Sequence, residues 1–375
     1  MTTRRPRIGI VTSVIDGRSA RGTAGVAREL LARLLPSDEF DITLIHHEPS
    51  DDPIYAKYPT LRIPHLPGPF DRTVLRELVF WLSLQKPFDI VHYLTPRVWP
   101  SYLATKARRI IVTPHDAGVM LPLYTKGLAD FLFMFTNRFL HSRMDCIIAV
   151  SRYAKEEIAR SYCINPERIT VIPNALPSHF LQPTSNRRPA SHLPARYLLS
   201  VGRFDPHKNI LRLVEAYALA RKRGVLLPLV LIGGRHTPSY SDKVERAIER
   251  LDLTDKVICA PYISDEDLPG VYATAHALIY PSLHEGFGLP LLEAMATGIP
   301  IACANATALP ETAGDAALLF NPGTIDDIAC AIIRISEDVA LRSQLVHSGT
   351  ARVATFSWER SVEKLRALYR IVTTS

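Results

Sequence analysis

Short runs of consecutive apolar, often β-branched residues recur along this chain and alternate with longer stretches whose apolar positions return at helical spacing. In the first half the runs are "RIGIVTSV" (7–14), "FDITLIHH" (40–47), "LRIPHL" (61–66), "FDIVHYL" (88–94), "RIIVTP" (109–114), "CIIAVS" (146–151) and "ITVIPN" (169–174). In the second half they are "YLLSVGR" (197–203), "PLVLIGG" (228–234), "KVICAPY" (256–262), "ALIYPS" (277–282), "IPIACA" (299–304) and "AALLFN" (316–321). Continuous apolar runs of this length suit parallel strands covered on both faces by helices. The alternation predicts an α/β protein of two doubly wound, Rossmann-like domains facing a cleft. "PSHFLQPTSNRRPASHLPAR" (177–196) separates the two series, is rich in Pro, Ser, Asn and Arg, and reads as a linker. The expected division is a domain over 1–178, a linker over 179–196, a second domain over 197–356, and a terminal helix over 357–375 packing back toward the first.

Composition supports a globular enzyme. The chain has 375 residues, 47% hydrophobic and 22% charged, enough for two cores. Five cysteines, at 146, 163, 259, 303 and 330, show no C-x-x-C spacing and fall mostly in apolar runs. They read as buried reduced thiols of a cytoplasmic protein, not as disulfides or a zinc site. "MTTRRPRIGIV" enters a strand pattern directly, without the apolar core of a secretory signal. "GLADFLFMFTNRFL" is too short and too interrupted by polar residues to span a bilayer. The net charge is +7, and residues 1–180 carry most of it, with 23 Lys/Arg against 17 Asp/Glu. A basic half suggests an anionic partner, such as a membrane surface or a phosphorylated lipid.

Ligands of open α/β sheets sit at the carboxyl ends of strands, so the chemistry belongs in loops just after strand runs. "HEGFGLPLLE" (284–293) is such a loop, leading into a helix with Pro290 in its first turn and Gly298 at its end. Its glycines let a ligand approach the main chain, and the helix start offers unpaired N–H groups to an anion. A carboxylate repels phosphate, so Glu285 and Glu293 suit hydroxyls, Glu293 those of a ribose and Glu285 those of another polyol. "SVGRFDPHKN" (200–209) places Arg203 and Lys208 where two cations could clamp a diphosphate and offset charge building on it as it departs. "RSARGTAGVAREL" (18–30), with Gly22 and Gly25, is a Gly-rich loop opening a helix but lacks G-x-G-x-x-G, which argues against a dinucleotide oxidoreductase. "VTPHDAG" (112–118) sets His115 and Asp116 just past a strand.

These stretches together resemble the retaining nucleotide-sugar glycosyltransferases of the GT-B fold, family 4, over nearly the whole chain. "EGFGLPLLE" matches that family's E-x₇-E motif, and "VGRFDPHKNILRLVEA" its diphosphate-binding segment. "GTAG" looks like its N-terminal Gly loop, with Ala24-Gly25 where a Gly-Gly pair is common, and "PHD" resembles its active-site His segment. The resemblance implies that Glu293 holds the nucleotide ribose and Glu285 and His115 contact the donor sugar. The N–H groups of Phe287, Gly288 and Leu289 would hold sugar and diphosphate, Arg203 and Lys208 would stabilise the leaving group, and Gly25 would close on it. It implies no cofactor and no metal beyond the nucleotide-sugar co-substrate, since "SDED" (264–267) is not a D-x-D motif. The base would be read near Tyr262 and Ile263.

The expected activity is transfer of a sugar, mannose from GDP-mannose first, to a lipid-linked glycan of a bacterial surface polysaccharide. Rhamnosyl or N-acetylhexosaminyl transfer is the alternative within the family, and a non-catalytic sugar-nucleotide-binding protein the alternative outside it. The expected location is cytoplasmic, peripheral on the inner face of the cytoplasmic membrane, where "LYTKGLADFLFMFTNRFLHSR" (123–143) sets Leu128, Phe131, Leu132, Phe135, Phe139 and Leu140 near one helical face beside Lys126, Arg138 and Arg143. No nucleic-acid partner is expected.

Overall fold

The computed structural model describes residues 4–16, 22–34, 38–48, 51–68, 72–95, 100–117, 128–181, 193–260 and 263–374, and of 128–134 the backbone alone. Two compact units divide the chain, residues 1–174 with 358–375 in one and residues 175–357 in the other.

In the first unit β1 (Arg7–Val11), α1 (Thr23–Leu34), β2 (Asp41–His46), β3 (Thr60–Arg62), α2 (Thr73–Ser83), β4 (Phe88–Tyr93), β5 (Ala107–His115), α3 (Leu128–Ser142), β6 (Cys146–Ala149), α4 (Arg152–Tyr162) and β7 (Ile169–Val171) follow in order. Its seven strands are all parallel, in the order β3-β2-β1-β4-β5-β6-β7. In the second unit come β8 (Leu198–Val201), α5 (Ile210–Lys222), β9 (Leu229–Ile232), α6 (Pro238–Arg250), β10 (Val257–Cys259), α7 (Leu268–Thr274), β11 (Ala277–Tyr280), α8 (Leu289–Ala296), β12 (Ile301–Ala304), α9 (Leu309–Ala313), β13 (Leu318–Phe320), α10 (Ile325–Glu337) and α11 (Val339–Val353). Its six parallel strands run β10-β9-β8-β11-β12-β13. The last helix, α12 (Trp358–Thr374), belongs to the first unit.

Each apolar run of the sequence overlaps one of these strands. β6, β9, β11 and β12 are buried throughout, as suits strands between two helical layers. The order of strands reverses between β1 and β4 and again between β8 and β11, so each sheet has a crevice at the carboxyl ends of those pairs. In the first unit Val362, Leu365, Leu368 and Tyr369 of α12 join Ile8, Ile10, Leu31, Ile90 and Ile148 in one apolar cluster.

The cysteines depart from expectation. Cys146 and Cys303 are buried, but Cys163, Cys259 and Cys330 are exposed. Cys163 caps the end of α4 in a left-handed conformation, Cys259 ends the edge strand β10, and Cys330 lies on an outer face of α10. An apolar neighbourhood in sequence does not bury a residue that falls on a cap, an edge or an outer face. All five thiols are free.

Candidate active site

The second unit's crevice is built from the loops that follow β8 and β11. After β8 the chain passes through Gly202 and Arg203 into a single turn at Pro206–Lys208, and Asn209 then opens α5. After β11 it runs from Pro281 to Gly288 and opens α8. The two loops are tied together. Asn209, 4% exposed, donates through Nδ2 to the carbonyls of Pro281 (3.2 Å) and Pro322 (2.9 Å). The His207 carbonyl accepts from Leu283 N–H (2.7 Å) and Ser282 Oγ (3.1 Å).

These ties bring Lys208 onto Glu285. Lys208 Nζ lies 2.5 Å from Glu285 Oε1 and 3.1 Å from the Tyr280 hydroxyl, which itself donates to Glu285 Oε1 at 2.6 Å. Burial favours a protonated Glu285, but the Lys208 charge and the bonds from Lys208, Tyr280 and Ser282 outweigh it and hold the carboxyl below its ordinary value. Burial and the neighbouring carboxylate push the Tyr280 hydroxyl well above its ordinary value, so it stays a donor. His207 is pushed down to about 4, first by burial and then by Lys208, so it adds no charge near neutral pH.

Glu285 N–H is fixed by Thr307 Oγ1 at 3.0 Å. Gly288, at φ 95°, then turns the chain into α8, and a Cβ there would meet Leu309 Cδ2 at 2.7 Å. In the first turn of α8, Pro290 has no N–H and Leu291 N–H donates to the Gly288 carbonyl (3.0 Å), so the main chain leading through Gly288 into the helix is the part that can offer N–H groups to an anion. The Phe287 side chain points into the core against Phe356, so this residue offers the site its main chain alone. Glu293, in the second turn of α8, accepts from the Tyr272 hydroxyl at 2.5 Å. Arg203 is 60% exposed and reaches His236 Nε2 at 3.1 Å.

The structure therefore gathers Arg203, Lys208, Glu285, Phe287, Gly288, Leu289 and Glu293 at the carboxyl end of the second sheet. Gly25 and His115 belong to the first unit, Gly25 in the opening turn of α1 and His115 as the last residue of β5. His115 is thus inside the strand's end rather than past it, at a bulge and with φ 65°, a conformation rare for a residue with a side chain. Burial lowers it to about 4, which keeps the ring neutral. It lines a cavity of about 30 Å³ with His92, Thr113, Asn174 and Trp358. Ile263 is buried, and Tyr262 lies outside the described residues. Tyr280, Tyr272, Thr307, Asp205 and His236 are the site residues that reading the sequence overlooks. They are ordinary strand, helix and loop residues in sequence, and only the fold brings them to the motif.

Two family models match. Residues 22–180 fit the description "Glycosyltransferase Family 4" and residues 183–352 fit "Glycosyl transferases group 1". The O-antigen chain mannosyltransferase B of Escherichia coli is 32% identical over 286 residues, 72% of this chain and 72% of its own. The chain belongs to glycosyltransferase family 4. Another relative of this glycosyltransferase is the O-antigen chain mannosyltransferase RfbU of Salmonella typhimurium, 28% identical over 71% of this chain and 73% of that one. The longer serotype-specific mannosyltransferase WbdA of Escherichia coli is 29% identical over 65% of this chain but only 31% of its own length. Among solved structures, sucrose-phosphate synthase from Thermosynechococcus elongatus superposes with TM-score 0.77, 22% identity and coverage of 99% and 100% of the two chains. Anabaena HepE in complex with UDP and glucose gives 0.76 and 17%, covering 98% and 100%. The fold is GT-B, two parallel-sheet α/β domains.

Proposed function

We propose that this glycosyltransferase moves mannose from GDP-mannose, with retention at the anomeric carbon and without a metal ion, onto a lipid-linked glycan of a bacterial surface polysaccharide such as an O-antigen. In this reading Glu293, oriented by Tyr272, holds the ribose, and Glu285 receives hydroxyls of the sugar. The N–H groups at Phe287, Gly288 and Leu289 hold sugar and diphosphate. Arg203 and Lys208 offset the charge that grows on the departing diphosphate, and they supply the positive charge a metal would otherwise bring. Gly25 and His115, in the first unit, are proposed as donor contacts on the family resemblance. A neutral His115 suits a hydrogen bond to a sugar hydroxyl better than an imidazolium would. The proposed setting is the inner face of the cytoplasmic membrane, where the positive surplus of the first half suits a phosphorylated lipid.

The observation that carries the reading is the Lys208–Glu285–Tyr280 cluster beside the start of α8, at the point where the sheet reverses. The choice of mannose and of an O-antigen setting is supported by the names of the relatives at 32% and 28% identity. The test is transfer by purified protein to a lipid-linked acceptor from GDP-mannose, UDP-glucose, UDP-N-acetylglucosamine and dTDP-rhamnose, with the product anomer read by NMR, and repeated in excess EDTA. An α-mannoside formed from GDP-mannose in EDTA is the expected result. Transfer from another donor, an inverted product, or loss on chelation with rescue by magnesium would each overturn the corresponding part. Donor binding without turnover would favour a non-catalytic role.

A further inference from the structure

The loops after β8 and β9 are closed onto each other. Gly202 N–H donates to the Ile232 carbonyl (2.7 Å), Phe204 N–H to Gly234 (2.9 Å) and Thr237 N–H to Phe204 (3.3 Å), and Phe204 and Arg235 pair as in a parallel ladder. A Cβ on Gly233, at φ 123°, would fall 2.5 Å from the Gly202 carbonyl carbon, so only glycine allows this approach. The closure sets His236 beside Arg203, over the buried Asp205.

Asp205 accepts from His236 Nδ1 (2.7 Å) and Thr237 Oγ1 (2.5 Å), with Arg203 Nε at 3.6 Å. Burial works to raise its carboxyl, but the bonds from Thr237 and His236 and the nearby Arg203 charge prevail and hold it below its ordinary value, so it is ionised. His236 Nε2 meets Arg203 Nη1 at 3.1 Å. A guanidinium only donates, so Nε2 carries its lone pair, the ring proton is on Nδ1, and His236 is neutral here. Among the described residues, the charged groups hydrogen-bonded to it are Asp205 and Arg203 on the opposite loop. Arg235, on its own loop, is tied to Asp242 and Glu245 of α6.

If Arg203 turns to a diphosphate, Nε2 loses its donor while an anion arrives nearby. A ring with a carboxylate at one nitrogen and an anion at the other gains from taking a proton. We propose that His236 is a third cationic group of the diphosphate site, neutral and holding Arg203 in the free protein, and protonated from solvent at Nε2 when a nucleotide sugar is bound. This rests on reading Arg203 as a diphosphate ligand. A donor that binds with proton uptake binds more weakly as pH rises.

The test is calorimetry of GDP-mannose without acceptor, with UDP-glucose in parallel and the tighter ligand carried forward, in buffers of different ionisation heat from about pH 6 to about pH 8, the range where an imidazole changes charge. Both phosphates of a nucleotide sugar are esterified, so the ligand itself does not titrate there. Wild type should take up a fraction of a proton and lose affinity with rising pH, at most about tenfold per unit. His236→Asn keeps a donor for Asp205 but cannot titrate, so its proton uptake should vanish and its affinity should stay flat. Wild-type uptake and pH slope in His236→Asn would overturn the proposal, even if binding is weaker, since positioning alone would then suffice. Arg203→Ala separates the two readings. Undiminished binding there removes the diphosphate assignment itself, whereas weakened binding with an unchanged His236→Asn removes only His236.

Discussion

Lys208 and Glu285 show side chains only 17% and 14% exposed, so removing one leaves the other a poorly solvated charge, whereas Arg203 at 60% exposure can be removed with little effect on its surroundings. Arg203→Ala and Lys208→Ala should each cut turnover by roughly 10²–10³, as for loss of a transition-state charge stabiliser. Only Lys208→Ala should also lower the melting temperature. Near-wild-type turnover in both variants would take the cations off the leaving group. Glu285 has its carboxyl lowered by the fold, so its contribution to stability is present above the ordinary value of 4.5 and is lost as pH falls through the lower folded value. Acid melting curves of Glu285→Gln should therefore show a shallower loss below that value than wild type, and parallel curves would contradict the pairing. A ribose contact forms before the transition state as well as in it, so Glu293→Ala should raise the donor KM at least as clearly as it lowers kcat. Unchanged nucleotide affinity by calorimetry would remove Glu293 from the ribose.

At the scale of elements, the strands were legible because a strand buried on both faces must be apolar at every position. Their ends were not: the run 61–66 shares only Leu61 and Arg62 with β3, and β5 extends past both ends of 109–114, because strand ends are set by pairing partners that are distant in sequence. The site divides the same way. Gly, Pro and charged residues after a strand mark Arg203, Lys208 and Glu285, but the hydroxyls of Tyr280 and Tyr272 come from elements whose sequence says only that they are apolar. Helix α3 shows what a stripe can hide. Leu140 is buried, but Phe135 is 66% and Phe139 44% exposed, and the Arg143 guanidinium sits 4.4 Å over the Phe139 ring. Lys126 and the side chains of Leu128, Phe131 and Leu132 lie outside the described residues. Among the described residues no helix is long and apolar enough to cross a membrane. Exposed rings beside Arg138 and Arg143 instead suit a helix lying on anionic lipid. Vesicles with anionic lipid should float the protein at low salt and release it as salt is raised, charges being screened within about 8 Å at physiological ionic strength. Neutralising Arg138 and Arg143 should weaken flotation and leave nucleotide binding unchanged. Equal flotation on neutral vesicles would defeat this assignment.

For the whole molecule, the first unit is discontinuous in sequence and depends on the last helix of the chain. Helix α12 gives Val362, Leu365, Leu368 and Tyr369 to that unit's apolar cluster, each at most 8% exposed. At about 1.5–3 kcal/mol for each fully buried large side chain, the four come to more than ~6 kcal/mol, within the ~5–15 kcal/mol that holds a typical domain folded. The helix also carries a polar tie. The Tyr369 hydroxyl lies 2.7 Å from Nδ1 of His92, whose Nε2 meets Thr113 Oγ1 at 2.7 Å, and burial, aided by His115, lowers His92 to about 3, so the ring stays neutral within the core. A chain stopped at Ser357 should therefore lose the first unit while the second, which keeps all its strands and its core, stays folded. Hydrogen exchange read by mass spectrometry should show β1, β4 and β5 unprotected and β8, β11 and β12 protected as in the full chain. Tyr369→Phe keeps the packing and leaves Nδ1 of His92 without a partner, at a cost of about 1–3 kcal/mol, so it should lower protection in the first unit alone and by less than truncation does. First-unit protection that survives the truncation would mean that α12 is an accessory to that core rather than part of it.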